Sequence, residues 1–394
     1  SMSEGFGGVL GRIGLLILFG VIIGTFLEKT GGAIVIAQKV LALIGQKSVM
    51  LAMMVTGYIL SIPVFGDSAF IMMNPINKSL SLKGKLPYAA TTIALALGIS
   101  ASHSLVPPTP GPIAAAGIIG ADLGMVIFWG FITSSLALIP CYFFAKYYTS
   151  RIKLTPVLSA EELPSDDTPK PSLTKSFLPI LIPLVLIVLA SVAAYPTKPF
   201  GEGAVVKMLL FLGSPVIALL LGCFFAFLLP ARFETKLLST TGWVGEALTT
   251  AAPVILITGA GGVFGKMLQN SGIDALVSTH LADLSWGLLL PFLMASALKT
   301  AQGSSTVALI TTASIVAPLL GALGLDSEQM RVLVVLAIGS GAIAISHAND
   351  SFFWVLTQLS GMNIKQGNQG QSLGTLVLGG SAFLIVWLIS LLIS

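Results

Sequence analysis

The sequence predicts an all-α polytopic membrane protein in which a hairpin and a broken helix recur once in each half. Three observations carry that prediction. Of the 394 residues, 55% are hydrophobic and only 9% are charged, against roughly 25% charged in soluble domains. The apolar residues stand in long continuous runs, unlike the alternating segments of about ten residues in an outer-membrane barrel. The same kind of polar interruption breaks those runs on either side of one hydrophilic stretch. Composition excludes a soluble enzyme, whose surface needs more charge, and a disordered chain, which needs fewer apolar residues. The net charge of +4 bears on which loops face the cytoplasm, not on nucleic acid. Cys141 and Cys223 lie inside apolar runs without metal or disulfide spacing, so they read as small core residues. No cofactor and no metal are expected.

A spanning helix needs about 20 apolar residues, and Gly11–Leu27 is the first candidate. Ala90–Ser102 and Gly117–Tyr148 supply further apolar helix. Thr149–Lys175 is the only long hydrophilic stretch, rich in Lys, Asp, Glu and Pro. Its basic residues place it on the cytoplasmic side. The chain thus divides into a first transmembrane repeat at 1–148, a polar cytoplasmic loop at 149–176 and a second transmembrane repeat at 177–394. Phe177–Ala194, Val205–Leu229, Glu246–Leu268, Leu284–Leu298, Val307–Leu323, Val332–Ser346 and Leu373–Ile393 follow as apolar segments. His280 reads as a loop residue.

Two runs are too short to span. Val49–Ile62 covers about 21 Å as a helix, stops at Pro63-Val64-Phe65-Gly66-Asp67-Ser68, and resumes at Ala69. Leu284–Leu298 stops at Lys299-Thr300-Ala301-Gln302-Gly303-Ser304-Ser305-Thr306 and resumes at Val307. Two half-length helices around a polar tip predict a re-entrant hairpin, whose backbone is tolerated at membrane depth only beside a polar cavity. Each hairpin precedes a second interruption. The first is Ser102-His103-Ser104 followed by Pro107-Pro108-Thr109-Pro110-Gly111-Pro112; four prolines in six positions cannot continue a helix. The second is Ser346-His347-Ala348-Asn349-Asp350-Ser351. Paired interruptions of this kind are the layout of a transporter built from repeats, and they point to its binding site.

The polar residues at those interruptions are the candidates for chemistry. A carboxylate such as Asp67 between apolar runs costs about 3 kcal/mol or more at membrane depth. It must cap a helix, face a cavity or carry a proton. Lys299 is an intramembrane cation whose natural partner is an anion or an acid. Gln302, Ser304, Ser305 and Thr306 add an amide and hydroxyls, and helix N-termini at both tips direct partial positive charge inward. Asn349 and Asp350 add acceptors. His103 and His347 suit proton or hydrogen-bond roles; a metal would need more ligands. Gly259-Ala260-Gly261-Gly262 lacks a phosphate-loop frame and reads as close helix packing. Nothing resembles a nucleophile elbow.

On Phe65–Ile71, Ser102–Ala116, Ala252–Phe264, Ala297–Ala308 and Ile345–Trp354 the chain resembles the gluconate permease family of bacterial proton symporters. The proline block and the Ser-His-Ala-Asn-Asp-Ser block are its specific motifs. The resemblance implies two inverted repeats with re-entrant hairpins and broken helices, an elevator-type transporter, a homodimer and a multi-pass location in the bacterial inner membrane. It implies uptake of D-gluconate or a related sugar acid with a proton. Members of the family often carry Arg where Lys299 stands. They also carry further apolar segments ahead of a stretch like Gly11–Leu27, which implies that such segments are missing here. In that frame Lys299 and the hairpin amides form the positive pole. Ser68, Asn74, Thr109, Gln302, Ser304, Ser305, Thr306 and Asn349 are the hydrogen-bonding candidates. Asp67, His103, His347 and Asp350 are the candidate proton carriers. The residues leave a carrier of D-serine or another small carboxylate open as the rival. A channel and an intramembrane enzyme are the rivals of other classes.

Overall fold

The computed structural model describes residues 1–45, 48–156, 169–194, 199–271 and 286–393. Among these residues the secondary structure is helical, with no strand. Six helices are long and apolar enough to cross a membrane. A seventh crossing is formed if α9 (Ala204–Leu212) and α10 (Pro215–Phe227), bent by 68° at Gly213-Ser214, count as one. Val205–Leu229 is therefore not the straight span its composition suggests: Pro215 starts a new helix at its first turn, the position proline tolerates. The protein is a multi-pass membrane protein.

The first half opens with α1 (Met2–Lys29) and α2 (Gly32–Ile44). The second of these is missed by a search for spans, because 13 residues cover only about 20 Å. Then come α3 (Val49–Leu60) and α4 (Gly66–Lys83), the limbs of the first hairpin. Its tip contains Pro63, and Ser61 donates its hydroxyl to the Val64 carbonyl at 3.3 Å. The broken helix is α5 (Tyr88–Leu105) and α6 (Pro110–Ile119), parted by the proline block. The expected single run 117–148 is likewise split. Gly120 takes a left-handed φ of 74°, and Asp122 caps α7 (Leu123–Tyr147) by accepting the Met125 N–H at 2.7 Å.

After α8 (Leu173–Ala194), α9 and α10 comes α11 (Trp243–Asn270). The second hairpin is α12 (Leu289–Gln302) and α13 (Ser305–Val316), and the second broken helix is α14 (Glu328–Ile343) and α15 (Ser351–Ser360). A short helix, α16 (Ile364–Gly367), passes through a π turn at Asn368–Ser372 into α17 (Leu373–Ile393). The order of hairpin and broken helix thus occurs twice; three hairpin limbs run 12 to 14 residues as the sequence predicts, while α4 runs on through Pro75 to 18 residues. The two units pack reciprocally, α4 on α15 and α13 on α6. Inverted repeats related by a two-fold axis in the membrane plane pack in this way. His280 lies outside the described residues.

Small residues let these helices meet at backbone distance, as lipid-embedded packing requires. Gly20 and Gly24 on α1 face the Pro108 and Pro63 carbonyls, so one helix seals both interruptions of the first half. Gly57 on α3 and Gly98 on α5 face the carbonyls of Leu95 and Met54 across their crossing. The glycine run on α11 also packs: Gly262 and Gly5 each face the other's carbonyl, while Gly261 lies against Ser314.

Cys141 and Cys223 are buried, which leaves the protein without an accessible thiol among the described residues. Lys153, exposed and within the hydrophilic stretch, is a clean reporter of sidedness. A Lys153→Cys variant should resist an impermeant maleimide in intact spheroplasts and react after permeabilisation. Full labelling of intact spheroplasts would reverse the expected orientation.

Candidate functional site

Both hairpin tips and both helix breaks meet at one cavity of about 280 Å³. Asp67 from the first tip, Ser104 and His103 from the first break, Lys299 and Ser304–Val307 from the second tip, and Ser346 and Asp350–Phe352 from the second break line it. Pro253, Val254 and Ile257 of α11 form an apolar wall. Three helix N-termini, those of α4, α13 and α15, open onto this space. First-turn amides lack intrahelical partners, so each end supplies donors and partial positive charge.

The centre is a buried ion pair. Lys299 Nζ lies 2.6 Å from Asp350 Oδ2, with side chains 1% and 9% exposed. Lys299 stands in the last turn of α12 and also donates to the Gly303 carbonyl, neutralising the negative end of its own helix. Gly303 ends that helix at φ 89°, with the Asn349 carbonyl where a Cβ would stand, so only glycine closes the tip this tightly. Asp350 is held from three sides. Its Oδ1 accepts the Phe352 N–H at 3.0 Å as the cap of α15, and its Oδ2 accepts the Ser346 hydroxyl at 2.5 Å beside Lys299. Ser346 in turn is held by the π turn and α17: its N–H donates to Thr375 Oγ1 at 3.0 Å, and its carbonyl accepts the Ser372 hydroxyl at 2.5 Å. Ile345 beside it takes φ 56°, a strained conformation for a β-branched residue.

Asp67 differs in kind. It sits in the first turn of α4 but does not cap it; Phe65 occupies the cap position without a side-chain bond. No hydrogen bond or ion pair holds the Asp67 carboxylate among the described residues, although it feels the charges of Asp350 and Lys299. His103 packs against the Phe65 ring, and its buried Nδ1 has no partner.

The other sequence candidates lie outside the cavity lining. Ser68 lies beside the Glu28 side chain of α1. Asn74 ties α4 to α15 and α5: its amide donates to the Leu359 carbonyl at 2.9 Å, and its oxygen accepts from Tyr88 at 2.8 Å. Thr109 donates to the Val106 carbonyl at 2.8 Å, at the edge of a separate small cleft. Gln302 folds onto the backbone of Ser304, donating to its carbonyl at 2.7 Å and accepting its N–H at 3.2 Å. Asn349 donates to the Thr300 carbonyl at 2.7 Å, and His347 Nε2 lies 3.1 Å from the same oxygen. These two clasp the tip of the second hairpin to the second break. Ser100, Gln371 and Thr375 do line the cavity and were not among the sequence candidates. Serines and threonines in apolar helices carry little signal, and Gln371 lies beyond the motif blocks.

Breaking a buried pair leaves an uncompensated charge and costs about 3–5 kcal/mol, whereas removing both partners costs far less. Lys299→Met and Asp350→Asn should each lower the thermal midpoint in detergent sharply. The double variant should be more stable than either. Additive losses in the double variant would show that the pair is not coupled.

Comparisons with known proteins agree with this architecture. Residues 1–392 match the GntP family permease family. A permease of Haemophilus influenzae, described as uncharacterized, is 35% identical over 92% of this chain and 77% of its own. A gluconate permease of Pseudomonas aeruginosa is 32% identical over 93% of this chain and 82% of its own. An L-idonate transporter of the Gnt-II system of Escherichia coli is 30% identical over 90% and 80%. The crystal structure of the YdaH transporter of Alcanivorax borkumensis superposes with a TM-score of 0.60 at 16% identity, over 99% of this chain and 87% of that one, a likeness of fold alone. With hairpins and broken helices around one cavity and a family match along nearly its whole length, the chain belongs to the GntP family of permeases, multi-pass transporters of the inner membrane.

Proposed function

We propose that the protein takes up a sugar acid, D-gluconate or a close relative, together with a proton. The observation that carries this reading is the unequal charge at three converging helix N-termini. Acidic side chains already stand at two of them, Asp67 on α4 and Asp350 on α15. The N-terminus of α13 has none, is capped by the neutral Ser304, and lies beside Lys299. An anionic carboxylate is therefore drawn to the Ser305–Thr306 end, where amides, hydroxyls and the lysine act together. The hydroxyl tail then extends toward Ser100, Ser104 and Thr375, which line the same space. The names of the gluconate and idonate relatives point to the same substrate class.

Proton coupling follows from charge balance. Lys299 is matched by Asp350. An ionised Asp67 adds an unpaired negative charge to the cavity, and a sugar acid adds another. Like charges in a poorly solvated space oppose each other, so the anion and a proton on Asp67 bind cooperatively, each favouring the other by the same factor. Entry of the anion alone against an inside-negative potential costs about 2.3 kcal/mol per 100 mV; a neutral anion–proton pair avoids that cost. His103, His347 and Asp350 are the remaining carriers. His347 is engaged with a carbonyl and Asp350 with Lys299, which leaves Asp67 and His103; Asp67 is the carrier of choice, because a proton there removes a negative charge that opposes the anion. Hairpin tips shared by two repeats suit an elevator-type movement of the loaded site, and a homodimer would supply its fixed frame.

In proteoliposomes an inward proton gradient should drive accumulation of labelled gluconate. Asp67→Asn should abolish that accumulation while retaining gluconate exchange in the absence of a gradient. If Asp67→Asn accumulates gluconate as the parent does, Asp67 is not the carrier.

A further inference from the structure

Among the described residues, one amide in the cavity wall has both of its polar atoms buried without a partner. Gln371 is fully buried, at 0% exposure, and borders the cavity. Neither its amide nitrogen nor its amide oxygen has a hydrogen-bond partner. A buried amide without partners is a rare and unfavourable arrangement. Around it the helix is organised with care. Gln371 lies in the five-residue π turn Asn368–Ser372, a widened helical geometry that recurs at functional sites. Its own carbonyl accepts the Thr375 hydroxyl at 2.9 Å. Its neighbour Ser372 and that same Thr375 grip the backbone of Ser346. The turn therefore fixes the second break, and with it Asp350, while leaving the Gln371 amide unused.

We propose that Gln371 is a specificity-determining residue that reads the hydroxyl groups of the substrate. This inference rests on the sugar-acid reading above. A primary amide offers two N–H donors and a carbonyl acceptor. A hydroxyl both donates and accepts, so neighbouring hydroxyls of a polyol complete both halves of the amide at once. A ligand without hydroxyls would leave the buried amide unpaired. A site built this way rejects the analogue that lacks the group, because its own polar atoms then stay unsatisfied. Lys299 and the α13 amides would select the charge, and Gln371 would select the polyol from other carboxylates of similar length. Its orphaned state is then the cost of selectivity, as at other functional positions where local stability is given up.

Gln371→Met keeps the side-chain length and removes the amide. Two readouts on the purified full chain separate the possibilities. The thermal midpoint without ligand should rise or stay level, since an unsatisfied buried group has been replaced by an apolar one. The Kd for D-gluconate should rise tenfold or more. Mono-deoxy gluconates locate the contact: the analogue lacking the hydroxyl read by Gln371 should bind Gln371→Met and the parent within about twofold. Gln371→Asn retains the amide on a shorter stem and should weaken gluconate binding less than Gln371→Met. A lowered midpoint with unchanged gluconate affinity would make Gln371 a structural residue. A raised midpoint with unchanged affinity would show that the substrate does not reach the amide. An equal loss for gluconate and every deoxy analogue would mean a general disturbance of the site. Each of these three results overturns the inference. If the parent binds no sugar acid at all, the sugar-acid reading itself fails, and the polyol-reading role of Gln371 falls with it.

Discussion

The ion pair of Lys299 and Asp350 is the constraint on which the centre of this protein depends. Two ions at 1% and 9% exposure are tolerated only with good geometry and further hydrogen bonds. The chain supplies both by spending its irregular backbone there. Lys299 ends one hairpin limb, Gly303 makes the left-handed turn, and Asp350 starts the helix after the second break. Ser346 completes the carboxylate, and α17 fixes Ser346. One electrostatic contact therefore ties the hairpin, the break and the final span together. The strained φ of Ile345 fits that setting, since such outliers persist where the surroundings over-determine them.

The second constraint is packing. Interrupted helices expose carbonyls that lipid cannot satisfy, so they must be enclosed closely by neighbouring helices. Glycines do this from outside the site: Gly20 and Gly24 bring α1 against the carbonyls of Pro108 and Pro63. The same logic makes Gly57 and Gly98 the crossing point of α3 and α5. Rigid enclosure of this kind keeps the tips ordered without filling the cavity between them.

Much of this was legible in the sequence, for physical reasons. Half-length apolar runs around polar tips have few other solutions in a membrane, so both hairpins and both breaks were readable from Asp67, Gly303, the proline block and Asn349-Asp350. Asp67, His103, Lys299, Ser304–Thr306 and Asp350 indeed share one cavity. Ser68, Asn74 and Gln302 sit near the tips in sequence, but helix geometry turns them toward Glu28, Leu359 and the Ser304 backbone. Proximity in sequence cannot distinguish the side of a helix that faces a cavity from the side that faces a neighbour. The bend at Gly213-Ser214 and the stop at Gly120 were signalled by glycine and proline chemistry and lost inside hydrophobic averages. Gln371 carried no local signal, because its meaning arises only when a distant helix is seen to border the site.

The repeat supplies shape, while the differences between its copies supply polarity. Corresponding tips present Asp67 on one side and Lys299 with Ser304–Thr306 on the other. Corresponding breaks present His103, whose Nδ1 has no partner, and Asp350, whose carboxylate is fully engaged. A symmetric cavity would bind an unsymmetrical molecule equally well in either direction. This one carries its lysine and its uncontested helix N-terminus on the second tip, and an unengaged carboxylate on the first. On the proposed reading a sugar acid, charged at one end and hydroxylated along the rest, takes a single orientation in such a cavity. On the proposed reading the proton goes to Asp67 on the first tip, where its arrival changes the charge balance of the cavity without breaking the Lys299–Asp350 pair.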